Sequence, residues 1–136
     1  MAKTTSFTTE QGAIDISLPT DADLSSSQYV FVKRDATDGK VVLAGANEKT
    51  LGVLQNAPDG SSSDKEAIVR VAGITKIKID EGVTFAKFLT PVATTGKAEV
   101  CDAANEEFGA IALSDGDADD LITAIIAHGE VTASDA

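Results

Sequence analysis

One run of acidic side chains has the spacing of a cation loop. Asp115-Gly116-Asp117-Ala118-Asp119-Asp120 puts carboxylates at alternate positions, as a calcium loop does around a hard cation. The helix–loop–helix version of that loop then needs a glycine at its sixth place and a glutamate at its twelfth. Asp120 and Ile126 stand there instead. The matching loop earlier in the chain, Pro58-Asp59-Gly60-Ser61-Ser62-Ser63-Asp64, has the same polar turn chemistry. Both read as solvent-facing connections between strands, and no metal site is assigned.

The other reactive residue types are scarce. Cys101 is the sole cysteine and His128 the sole histidine, so the chain has no internal disulfide and no cysteine–histidine ligand set for zinc. A nucleophilic thiol needs a base beside it, and a lone cysteine in an apolar run is more often a small buried hydrophobe. A Gly-x-Ser-x-Gly elbow is absent, and Gly39 to Gly52 lacks the clustered spacing and following helix of a phosphate cradle. Carboxylate pairs exist among 22 acidic residues, but no aromatic lining accompanies them. Lys40 and Lys97 each follow a turn glycine, a placement shared with biotinyl and lipoyl attachment sites. The Asp-Lys-Ala and Met-Lys-Met signatures of those carriers are missing. No catalytic, cofactor-binding or metal-binding residue is assigned, and no cofactor is expected.

The charge balance narrows the partners. Eleven basic against 22 acidic residues leave a net charge of −11, which repels nucleic acid and anionic lipid. Lys76 and Lys78 alternate with Ile77 and Ile79, as in an edge strand with one wet, charge-guarded face; a basic contact strip is the alternative. The N-terminus has no apolar h-region, and no apolar run approaches the roughly 18 residues of a membrane span. The expectation is a soluble chain made in a cytoplasm, with neither nucleic acid nor membrane as partner.

The elements that must position these residues are strands. Ile14, Ile16 and Leu18 alternate with polar neighbours until Pro19. Apolar, mostly β-branched runs then fall near 29–34, 40–44, 51–55, 67–72, 74–79, 86–90, 97–101, 108–113 and 121–127. Turn signals separate them, among them Asp38-Gly39, Glu81-Gly82, Thr95-Gly96 and Asp115-Gly116. Residues 102–107 have room for a single helical turn. With aromatics at 4%, the core must be built from Val, Ile, Leu and Ala.

The chain also repeats itself. A shift of 57 residues lays Ala36-Thr37-Asp38-Gly39-Lys40 on Ala93-Thr94-Thr95-Gly96-Lys97, and Gly52 on Gly109. Six of the nineteen pairs from 36/93 to 54/111 are identical, and Phe31 meets Phe88. The reading is an all-β protein: a small β-barrel or β-sandwich with an approximate internal repeat and an extended N-terminal arm. Residues 1–27 are taken as the arm with one strand, and 28–136 as the body, its repeats at about 28–79 and 80–130. Each half is expected to need the other to cover its faces.

Between Gly52 and Gly129 the order of motifs becomes familiar. Leu51-Gly52-Val53-Leu54 leads to Val69-Arg70-Val71-Ala72-Gly73-Ile74, then Gly82-Val83, Leu89-Thr90 and Thr95-Gly96-Lys97-Ala98. Phe108-Gly109-Ala110-Ile111-Ala112-Leu113 and a last apolar strand close the run. This order resembles small tailed-bacteriophage head proteins of the capsid decoration, or cement, type. The resemblance implies a non-enzymatic protein on the outer surface of a phage capsid, synthesised in the bacterial host cytoplasm. It would bind the major capsid protein, bridge neighbouring subunits and form a homo-oligomer, with a trimer favoured over a dimer. No functional residue carries over. Competing readings are a virion-surface adhesin, a carbohydrate-binding module and a biotinyl- or lipoyl-type carrier.

Overall fold

The computed structural model describes residues 12–132, and every regular element within them is a strand. The first five are β1 (Ile14–Pro19), β2 (Phe31–Arg34), β3 (Val41–Leu43), β4 (Gly52–Leu54) and β5 (Glu66–Ala72). Then follow β6 (Ile74–Lys78), β7 (Phe88–Pro91), β8 (Ala98–Val100), β9 (Glu107–Ala112) and β10 (Leu121–Glu130). The expected run at 86–90 begins late because Ala86 takes φ 73°, as Tyr29 with φ 66° delays the run expected at 29–34. Residues 102–107 contain a turn with Asn105 at φ 69° and no helix.

The strands form two antiparallel sheets of five, ordered β1-β5-β4-β2-β3 and β6-β10-β9-β7-β8. Adding five to each label of the first order gives the second, so one topology is used twice. The agreement reaches individual bonds. In the first sheet the Asp35 N–H donates to Lys40 O and the Gly39 N–H to Asp35 O, both at 2.8 Å. In the second, the Val92 N–H donates to Lys97 O at 2.7 Å and the Gly96 N–H to Val92 O at 3.0 Å. Left-handed residues recur too: Tyr29 and Ala86, Gly39 and Gly96, Asn47 and Asn105.

The sheets part the chain at Gly73, which takes φ 97° where the strand turns from β5 into β6. A side chain there would sit 2.9 Å from Ala13 Cα. The sequence reading grouped β1 with an arm at 1–27 and β6 with a repeat at 28–79. In the structure β1 pairs with β5 from Ile14↔Ala72 to Pro19↔Glu66, and β6 pairs with β10 from Ile74↔Ile125 to Lys78↔Leu121. The sequence match misses this because the first strands are spaced differently from the later ones: Ile16↔Val69 answers to Thr75↔Ala124. The remainder of the expected arm, residues 1–11, lies outside the described residues.

Each sheet curls over an apolar cluster, and the two halves share residues unequally. Leu24, Val32, Val41, Leu54, Ala67 and Val69 form the first cluster, all from one sheet and its loops. Their counterparts Val83, Leu89, Ala98, Ala112, Ile122 and Ala124 belong to the second, joined by Phe31, Ala44 and Val53 from the first sheet. The pleat explains the split, since neighbours in a strand point to opposite faces: Phe31 and Val32, like Val53 and Leu54, enter different clusters. The curl brings the Thr20 hydroxyl to Val41 O at 2.7 Å in the first sheet. At the same place in the second, Ile79 makes a single bridge to Ala98. Neither sheet closes into a barrel, and the sandwich-like form of the expectation is the one observed.

Candidate functional site

The residues with chemical potential are spent on structure. Cys101 is 5% exposed, and burial, helped by Glu106, Asp102 and Glu99, pushes its thiol up to about 12. A thiol so held is not a nucleophile near neutral pH. His128 is exposed on β10, beside Phe108, Lys49 and Thr50 around an open depression.

The acidic loop is likewise occupied by its own turn. Asp115 Oδ1 accepts from the Phe85 N–H at 2.8 Å, and Asp120 Oδ2 from the Asp117 N–H at 2.9 Å. Asp119 instead faces Lys97 Nζ at 2.8 Å, and that contact lowers its carboxyl below the ordinary range. With the carboxylates turned to different partners they do not converge, and no cluster of metal-ligating side chains occurs among the described residues.

Lys97 and Lys40 share one arrangement. Each follows a left-handed glycine and folds onto an aspartate: Lys40 Nζ lies 2.9 Å from Asp21 Oδ2. The hydrogen bond raises each ammonium above its ordinary value. A carrier's lysine must reach an active site elsewhere, whereas these two are tied to the body. Lys76 is exposed on β6, an edge strand of the second sheet, with Ile77 fully buried on the other face.

What remains is surface, and the register singles out one row of it. In the first sheet Asp15, Arg70, Val53 and Phe31 stand side by side across β1, β5, β4 and β2. Val53 and Phe31 are fully buried against the second sheet's cluster. Arg70 is 9% exposed, its Nε and Nη2 donating to Asp15 at 2.8 and 3.1 Å and its Nη1 to Ile74 O at 3.0 Å. The same row of the second sheet is Ile74, Ile125, Ile111 and Phe88. It is apolar throughout, Ile125 is 38% exposed and the other three are half-buried. Sequence reasoning missed this row because its members come from four strands whose register is not written in local alternation.

Comparison with known proteins gives one informative likeness. No protein-family model matches the chain, and no curated protein does. Among solved structures, the fold is similar to the N base of the head fiber gp8.5 of bacteriophage phi29, at a TM-score of 0.67 and 12% identity. The match covers 88% of this chain and 98% of that one, so the likeness extends over both sheets and establishes a shared fold.

Proposed function

We propose that this chain is a non-enzymatic structural protein of a phage head, a decoration protein that sits on the outer capsid surface and bridges subunits of the major capsid protein. The observation that carries the reading is the fold likeness to a head-fiber base across nearly the whole of both chains. The order of motifs between Gly52 and Gly129 points to the same class independently of that comparison. The chemistry is compatible: the thiol is buried, the hairpin lysines are ion-paired and the carboxylates serve turns. Such a protein needs a rigid body and several modest contacts, because oligomeric engagement multiplies weak affinities by orders of magnitude. Assembly as a trimer, with a dimer as the alternative, is part of the proposal, as are synthesis in the host cytoplasm and residence in the virion.

Co-sedimentation with assembled capsids of the encoding phage tests it. Saturable binding at a fixed ratio to the major capsid protein, with increased resistance of the shell to heat, is the expected result. Absence of binding to every capsid form overturns the proposal. The described role of the structural neighbour favours a second reading, the base of a head fiber. A fiber base would bind the shell without raising its heat resistance, so the same experiment separates the two.

A further inference from the structure

We infer that the open depression lined by Tyr29 and Asp119, where the two sheets meet, is a binding site for a saccharide unit of a glycan. Three segments build its wall: Ser26, Gln28 and Tyr29 from the loop into β2, Lys78 from the end of β6, and Asp119 and Leu121 from the entry to β10. Its volume of about 380 Å³ falls inside the roughly 300–1,000 Å³ usual for ligand sites.

The repeat singles out Tyr29. Its backbone is left-handed, at φ 66°, a conformation unfavourable for a bulky side chain. Its counterpart in the second sheet, at φ 73°, is Ala86. Alanine satisfies the turn, so the turn does not account for an aromatic ring. That ring is half-buried, and it is the sole tyrosine of a chain without tryptophan. Asp119 is left-handed too, at φ 69°. Neighbouring backbone pins both: the Lys78 N–H donates to Tyr29 O and the Asp119 N–H to Ile79 O, each at 2.8 Å. Strained residues held this firmly are a mark of preformed binding sites.

The polar groups select the ligand. Gln28 spends its Nε2 on Gln55 O at 2.9 Å and keeps Oε1 as an acceptor. Asp119 spends Oδ1 on Lys97 Nζ at 2.8 Å and keeps Oδ2. Lys78 adds a donor, and the Ser26 hydroxyl can donate or accept. Tyr29 and Leu121, 51% exposed, supply the apolar area. A sugar ring has both halves of the complement. Its C–H face suits the tyrosine and leucine, and its hydroxyls donate to the carboxylate and amide oxygens and accept from the ammonium. A wholly apolar ligand would leave those polar groups unpaired. An anion meets Asp119 and a chain of net charge −11, and a cation meets Lys78. The inference goes beyond the structural role proposed above and does not rest on it.

Intrinsic fluorescence tests it, because all tyrosine emission comes from Tyr29. The full chain is titrated with neutral oligosaccharides of glucose, galactose, mannose and N-acetylglucosamine, up to about 10 mM so that millimolar affinities register. A saturable change in emission with at least one of them is expected, and a response to none overturns the inference. Asp119→Asn, which keeps the shape and removes the charge, should weaken that binding about tenfold, the scale of one hydrogen bond to a charged group. Tyr29→Ala, with saturation-transfer NMR on the sugar as readout, should abolish it. Phe85→Ala, an exposed apolar change outside the depression, should leave it unaltered. A folded Tyr29→Ala chain that binds like the wild type overturns the inference. So does undiminished binding by Asp119→Asn, which decides the matter should the alanine variant fail to fold. Capsid binding is a separate measurement, so failure of either reading leaves the other in place.

Discussion

At the scale of single residues, the two repeats act as each other's controls. Ala44 and Cys101 occupy one position: the Ala44 N–H donates to Phe31 O at 3.2 Å and the Cys101 N–H to Phe88 O at 2.9 Å. The first sheet shows that alanine fits there fully buried, so Cys101→Ala is expected to fold. It should also change how stability depends on pH. The folded thiol titrates at about 12, against 9.0 for an unperturbed one, because burial disfavours the thiolate. Above pH 9 the unfolded chain releases this proton while the folded chain holds it, which pulls the equilibrium toward unfolding. The thiol's contribution is thus intact below pH 9 and is lost as pH rises toward about 12. Urea melts at about pH 8 and about pH 10.5 measure it. The wild type should lose more stability between them than Cys101→Ala, which differs from it in this one side chain alone. Equal losses would show that Cys101 reaches solvent in the native protein.

At the scale of elements, the β2–β3 and β7–β8 hairpins share a turn but differ in surroundings. Gly39 has φ 74° and Gly96 φ 70°, so alanine at either incurs a left-handed backbone cost of roughly 1–2 kcal/mol. Beyond that they diverge. A Cβ at Gly39 would lie 3.0 Å from the Arg34 guanidinium, the mobile end of a long side chain. A Cβ at Gly96 would lie 2.7 Å from Phe31 O, a backbone atom that already accepts the Ala44 N–H. Gly96→Ala should therefore destabilise by about 1 kcal/mol more than Gly39→Ala, the scale of overpacking against a fixed neighbour. Chemical denaturation of both variants checks the order, and equal costs would mean that the second hairpin is not wedged against the first sheet. The pair also shows how much was legible in the sequence. Alternation and turn glycines placed the ten strands of the described residues, and the identity of Gly39-Lys40 with Gly96-Lys97 revealed the repeat. Left-handed Tyr29 and Ala86 were hidden, since neither residue type announces positive φ. The edges of the repeat were hidden too, because register is a relation between strands far apart in sequence, as in Asp15↔Arg70 and Ile74↔Ile125. Of the candidate surface, only Lys76 and Lys78 on a guarded edge were legible in local alternation; the apolar row beside them emerges from pairing.

At the scale of the molecule, two copies of one topology are joined by an unequal contact. The first sheet's cluster is assembled from residues between Ile16 and Val71, whereas the second borrows Phe31, Ala44 and Val53. Among the described residues Phe31 is the largest fully buried side chain, and it belongs by backbone to one sheet and by packing to the other. Phe31 N–H also donates to Gly96 O at 2.8 Å, so the backbone ties the same two elements. Removing the ring by Phe31→Ala should cost about 3–5 kcal/mol, the usual penalty for an aromatic cavity in a core. The distribution of that loss is the sharper prediction. The cavity opens in the second cluster, while Val32, Leu54 and Val69 still hold the first from its other face. Hydrogen exchange on the full-length variant should therefore show β7, β8 and β9 losing protection before β4 and β5 do, although the substituted residue lies in β2. Uniform loss across both sheets would mean that they unfold as one cooperative unit. Loss confined to the first sheet would place the weight of Phe31 in its own sheet, and the unequal dependence of the two repeats would then be wrong.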